Sequence, residues 1–260
     1  MWMPAQPQQL QACFAVLAVT ASIYALPALS DEPVGFDVAK RCVEASGGKE
    51  AFDAVKSIVM KGTIVVTANN ASDAPVATGT LTTYFASPDR AKVVVDLKPF
   101  GKTEQGVRGK IGWEKGHAGV RRLSDTERTR MIDSISLRES FAPTSVFASI
   151  TNRGTEIIEG EPCYRVEVKR HGRTDSDQIF YNIKSGLPAR TMATRSIVGG
   201  SQVIESTILE YKSFEGLQIA SRVRQIMNAM GVTHDVTIET VELNTDIADS
   251  VFDVPEFPSK

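Results

Sequence analysis

The hydrophobic pattern of this chain changes period twice. Between residues 34 and 45, Val38, Cys42 and Ala45 share one helical face with Ala39 and Val43 beside them. Gly47-Gly48 then ends the helix as a C-terminal cap. A short second helical turn is expected over 49–55. From Ile58 the period drops to two. Ile58, Met60, Ile64 and Val66 alternate with Lys61, Thr63 and Thr67, the mark of a half-buried strand. A turn-rich loop over 69–75 leads to Leu81, Thr83 and Phe85, then a Ser87-Pro88-Asp89 turn, then Val93, Val95 and Leu97. Two short strands, 103–108 and 111–115, follow around Gly109-Lys110.

The alternation is interrupted once. Ser124-Asp125-Thr126-Glu127 is a capping-box pattern, and Met131, Ile132 and Ile135 behind it mark an amphipathic helix running towards Ser140. The stretch 141–151 is apolar without a clear period. Strands then resume: Tyr164, Val166 and Val168 alternate with Arg165, Glu167 and Lys169, and Ile179, Tyr181 and Ile183 follow. Four more strands are expected at 187–197, 202–213, 218–228 and 232–243, joined by turns at 198–201, 215–216 and 229–231. Connections this short require antiparallel neighbours. Val236 and Ile238 are out of phase with Val241 and Leu243, which predicts a bulge near Thr240.

The expected fold is therefore mainly β (α+β): about eleven or twelve strands in a single large curled antiparallel sheet forming an incomplete β-barrel. An N-terminal helix and an inserted helical lid, residues 123–151, complete it. A sheet this wide leaves an apolar hollow. Its expected walls are Ile58, Met60, Ile64, Val66, Phe85, Val93, Val95, Val166, Val223 and Met227 from strands, with Met131, Ile132 and Ile135 from the lid. Met192 and Met230 are further deformable wall candidates.

Residues 1–30 contain no Lys, Arg, Asp or Glu, and 12–30 is apolar and Ala-rich, ending Ala28-Leu29-Ser30 before Asp31-Glu32-Pro33. This reads as a signal peptide cleaved after Ser30 and places residues 31–260 in the periplasm as one domain; an N-terminal anchor is the alternative. Cys13 precedes the apolar run instead of following it, so it is not read as a lipoprotein signal. A net charge of −2 and a pI near 6.0, with basic and acidic residues interleaved, argue against nucleic acid as a partner. Two cysteines follow the signal segment, Cys42 and Cys163. Either they form a disulfide or they are two separate buried thiols.

Reactive chemistry is sparse. His117, His171 and His234 each stand alone, without a second ligand at zinc-site spacing. There is no nucleophile elbow, phosphate loop or dinucleotide-binding glycine pattern. Asp175/Asp177 and Asp246/Asp249 are the best carboxylate pairs, and all four are expected in turns. No catalytic residue, metal or cofactor is expected.

Several short motifs resemble a known family. They run from Ala45-Ser46-Gly47-Gly48-Lys49-Glu50-Ala51 through Val55-Lys56-Ser57-Ile58 and Gly62 to Ser87-Pro88-Asp89-Arg90 and Gly112-Trp113-Glu114. Tyr181, Gly186-Leu187-Pro188-Ala189-Arg190 and Tyr211-Lys212-Ser213-Phe214-Glu215-Gly216 follow. The series closes with Val241-Glu242-Leu243-Asn244-Thr245-Asp246-Ile247 and Phe252-Asp253-Val254-Pro255. Their order over residues 34–256 resembles the periplasmic outer-membrane lipoprotein-sorting proteins, the superfamily of LolA-like lipoprotein carriers. The resemblance implies a half-barrel closed by a helical lid over a cavity for acyl chains, with a lipid or acylated lipoprotein as ligand. It implies a monomeric, non-enzymatic carrier or chaperone in transport, with a membrane or envelope protein as a further partner. Two other readings stay open: a sensor module that binds a protein, and a hydrolase hidden in the cavity.

Overall fold

The computed structural model describes residues 33–69, 74–197 and 200–258. Residues 1–32, which include the expected signal peptide, lie outside the described residues, as do 70–73 and 198–199 of the expected loop and turn. Helix α1 (Gly35–Ala45) and the short α2 (Lys49–Asp53) precede six strands: β1 (Ser57–Ala68), β2 (Pro75–Ala86), β3 (Arg90–Lys98), β4 (Gly101–Arg108), β5 (Ile111–Gly116) and β6 (Gly119–Arg122). Three helices follow, α3 (Asp125–Ile135), α4 (Arg138–Phe141) and α5 (Pro143–Val146). Seven strands complete the fold: β7 (Phe147–Ile158), β8 (Glu161–Arg170), β9 (Ser176–Asn182), β10 (Pro188–Ile197), β11 (Gly200–Phe214), β12 (Leu217–Met227) and β13 (Val232–Leu243).

All thirteen strands form one sheet in the order β6-β5-β4-β3-β2-β1-β13-β12-β11-β10-β9-β8-β7. Each pairing is antiparallel, and the sheet is curled but not closed into a barrel. Two meanders, β1–β6 and β7–β13, meet at a β1/β13 seam in the middle. That topology explains the helices. Strands β6 and β7 are the two edges, so the chain between them must cross the whole sheet, and α3, α4 and α5 make that crossing.

Strand register builds the apolar face they cover. Ile58 lies beside Leu243 on one side and Phe85 on the other, and Phe85, Ala91 and Val107 continue the row. The next rows are Val241-Met60-Thr83-Val93 and Ile238-Gly62-Leu81-Val95. The expected bulge is present: Lys61 pairs with Thr240 but Gly62 with Ile238, which leaves Glu239 as the extra residue of β13. Gly62 is required there, because a Cβ would stand 2.0 Å from the Thr237 carbonyl oxygen.

Two strands depart from the sequence pattern. Strand β6 is four residues long, and β7 begins inside the expected lid, so the lid helices end at Val146. Strand β7 lacks a clean alternation because its register with β8 slips twice, at Phe147/Ser149 and at Asn152/Thr155. Each slip moves the following side chains to the other face.

Cys42 and Cys163 are separate buried thiols. Cys42 packs on the helix-covered face of β8 with Val166 and Val168, whereas Cys163 packs with Ile158 and Phe180. Period-two alternation puts Cys163 and Val166 on opposite faces of β8, so the sheet itself stands between the two sulfurs. Burial raises the Cys42 thiol to about 11, against a smaller lowering by its hydrogen bond with Ser46.

The segment after β13 straps the outer face of the β3–β6 wing. Arg90 donates to Asp249 at 2.6 Å and Arg108 to Asp253 at 2.8 Å, while Arg108 also pairs with Asp249. Phe252 is buried beneath the Arg90 guanidinium, and Phe257 lies 4.1 Å from that of Arg122.

Candidate lipid site beneath the helices

A cavity of about 320 Å³ lies between the helical crossing and the sheet. Met60, Leu81, Thr83, Val236, Ile238, Ile219, Val223, Gln225 and Tyr211 supply its strand walls. Ser134, Ile135, Leu137, Ser140 and Phe141 close it from the helices. Ser46, after α1, and Gln218 complete one end, where the Gln218 amide donates to the Ser46 carbonyl at 2.8 Å. Most of the lining is apolar, and two of its polar groups are held elsewhere: Gln225 donates to Ser206 and Tyr211 to the Pro188 carbonyl. A larger hollow of about 460 Å³ lies outside the helices, around Lys56, Arg90, Asn244 and Asp246, and its walls are polar.

Of the wall residues expected from sequence, Met60, Ile135 and Val223 line the cavity directly. Ile58, Phe85, Val93, Met131 and Ile132 form the packed layer behind Met60 and Ile135. Ile64, Val66 and Val95 cluster with Val236, which reaches the cavity from their side. Met227 is buried at the end of β12. Val166 lies elsewhere, in the core that α1 and α5 cover. Met192 packs against the Cys163 cluster, and Met230 is 59% exposed in the β12–β13 turn, so neither is a wall. Ile219 and Ile238 were not among the expected walls, although both follow the alternation of their strands. Leu137 and Phe141 were not, since α4 is a single turn in a stretch without period.

The helices are tied to the sheet at both ends, at the start by Glu127 of α3, which pairs with Arg121 of β6 at 3.1 Å. Ser124 caps α3: its Oγ accepts from the Glu127 amide at 3.2 Å, and the Glu127 carboxylate accepts from the Ser124 amide at 2.8 Å. At the far end the Arg170 guanidinium of β8, only 8% exposed, meets three carboxylates. It donates to Glu139 of α4 and lies 3.6 Å from Asp133 of α3 and 3.7 Å from Asp177 of β9, with the Phe147 ring 5.3 Å away. Asp133 also faces Arg138 at 3.9 Å. Burial raises the Asp133 carboxyl above the usual range, and the Glu139 charge adds to this. Arg170 and Arg138 only partly oppose it.

These contacts revise the carboxylate pairs seen in the sequence. Asp177 is a buried strand residue in the Arg170 cluster, and Asp175 is held by Arg173 and Arg130. Asp249 is bound by Arg90 and Arg108 in a 3₁₀ turn, Asp249–Phe252. His117 is exposed, and His171 makes a hydrogen bond to the Thr144 carbonyl. His234 lies beside Val66 and Gln225, where burial lowers its pKa. Among the described residues no His, Cys, Asp or Glu cluster has the make-up of a metal site.

An open, curled antiparallel sheet crossed on one face by helices, with an apolar space between, defines the class. It is the fold of LolA-superfamily and outer-membrane lipoprotein-sorting proteins. A LolA superfamily protein from Nitrosomonas europaea is similar with a TM-score of 0.59 and 14% identity, over 86% of this chain and 99% of the other. A DUF1329 family protein from Desulfovibrio piger is similar at 0.55 and 13% identity, over 84% and 95%. A domain assigned to outer membrane lipoprotein sorting, from Vibrio parahaemolyticus, is similar at 0.53 and 12% identity, over 84% and 96%. No family model and no curated protein matches the sequence.

Proposed function

We propose that this protein is an exported, periplasmic carrier that shields lipid or lipoprotein acyl chains from water, without covalent chemistry. The observation that carries this reading is the apolar cavity between the sheet and α3–α4, covered by helices that the Glu127–Arg121 pair and the Arg170 cluster hold in place. Each CH₂ moved from water into such a cavity stabilises the complex by about 0.8 kcal/mol, so even a short buried stretch of chain supplies useful affinity. The only covalent link between α3–α5 and the sheet is at the two edges, so the helices can move without breaking a strand pairing. That makes entry and release a movement of residues 123–146. Similarity to the lipoprotein-sorting domain supports the sorting role, and the residue 12–30 segment supports export.

The test is direct. Protein purified from periplasm is extracted and its lipids identified by mass spectrometry, and the delipidated form is titrated with a fluorescent fatty acid. Bound lipid and saturable uptake are expected. Empty protein that takes up no probe refutes the carrier, and a stable protein partner recovered in its place supports the sensor reading.

A further inference from the structure

One wall residue of the cavity is out of character with its neighbours. Thr83 stands on β2 between Met60 and Val93 across the strands, with Leu81 and Phe85 next on the same face of its own strand. All four are apolar. Thr83 is 8% exposed, and its hydroxyl has no hydrogen-bond partner in the protein. A Val would fill the same volume and the same β-branched strand preference without burying a lone hydroxyl. Buried polar atoms are nearly always paired, and this one lies closed off in the wall of a ligand cavity, so a ligand oxygen reaches it only as the wall repacks. Met60 beside it is unbranched and flexible, and can repack as a chain enters.

We propose that Thr83 is a specificity-determining residue: it selects lipids that place an oxygen against the apolar wall, an ester carbonyl or a chain hydroxyl, over plain alkyl chains. This deepens the carrier reading and rests on it. The hydroxyl donates to a carbonyl, or donates to or accepts from a hydroxyl. A chain that carries no oxygen gains nothing from Thr83 and leaves the orphan in place.

Hexadecane, hexadecan-1-ol and methyl palmitate are compared as competitors against a fluorescent alkyl probe on delipidated wild type, Thr83→Val and Thr83→Ser. Thr83→Val is expected to weaken methyl palmitate, hexadecanol or both about 3- to 10-fold relative to hexadecane. Loss confined to the ester assigns the partner as a carbonyl; loss for both assigns any oxygen. Thr83→Ser should retain the wild-type order. The melting temperature of lipid-free Thr83→Val should equal or exceed that of wild type. Unchanged affinities for all three probes overturn the proposal, as does an equal loss for all three or a lowered melting temperature. If wild type and Thr83→Val bind all three probes alike, the carrier reading stands and only this inference fails. If wild type binds none of the probes, both fall.

Discussion

Replacing Arg170 by Met isolates what holds the helices to the sheet. The side chain is 8% exposed and faces Asp133, Glu139 and Asp177 from three different elements. Removing one partner of a buried ion pair typically costs about 3–5 kcal/mol, because a charge is left uncompensated. Here the loss is moderated, since Asp133 already has a raised pKa and can take up a proton. About 3 kcal/mol at neutral pH is therefore expected, a fall in melting temperature of about 6–12 °C for a domain of this size. The pH dependence carries the sign. Without the guanidinium, which opposes the effect of burial, the Asp133 carboxyl is easier still to protonate in the folded protein than in the unfolded chain. The folded form then binds more protons, so stability is lost as pH rises through the raised carboxyl range and is regained as pH falls. Melts of Arg170→Met followed by circular dichroism at pH 5 and 7.5 should show the larger deficit at 7.5. A deficit below about 2 °C, or one that is larger at pH 5, would refute this account of the cluster.

Asp133→Asn should be neutral or stabilising at pH 7, because it removes a carboxylate whose charged form burial disfavours; its melting curve checks this. Gly62→Ala should destabilise by about 2 kcal/mol or more, since its Cβ meets the Thr237 carbonyl at the bulge, and a denaturant midpoint measures it. Ser124→Ala should cost about 1 kcal/mol through loss of the α3 cap, with hydrogen exchange speeding first in residues 125–130. Cys42, buried and with its thiol raised to about 11, should resist iodoacetamide at pH 8 until the protein unfolds, as peptide mass spectrometry would show.

Much of this molecule is legible in residue order because its two strongest signals are local. Alternation at Ile58-Met60, Tyr164-Val166-Val168 and Val236-Ile238 is a property of a few neighbouring residues, and so is the Ser124–Glu127 capping box. Short turns then force antiparallel neighbours. Even the bulge at Glu239 shows as a phase change between Ile238 and Val241. The edge strands β6 and β7 did not show: β6, Gly119-Val120-Arg121-Arg122, is too short to alternate, and β7 slips in register and so keeps no clean period. The open question of Cys42 and Cys163 was settled by which face of β8 each sulfur occupies, a relation across more than a hundred residues.

The residue pattern by itself thus determined the antiparallel β-sheet architecture, its curl, and the position of the helical interruption. Only the tertiary structure decided that the interruption joins the two edges of the sheet and therefore crosses its apolar face. It alone gathered Asp133, Glu139 and Asp177 around Arg170, and left the Thr83 hydroxyl without a partner among Met60, Val93, Leu81 and Phe85. The reason is physical. Alternation fixes which way a side chain faces, but strand order and register fix what it meets there.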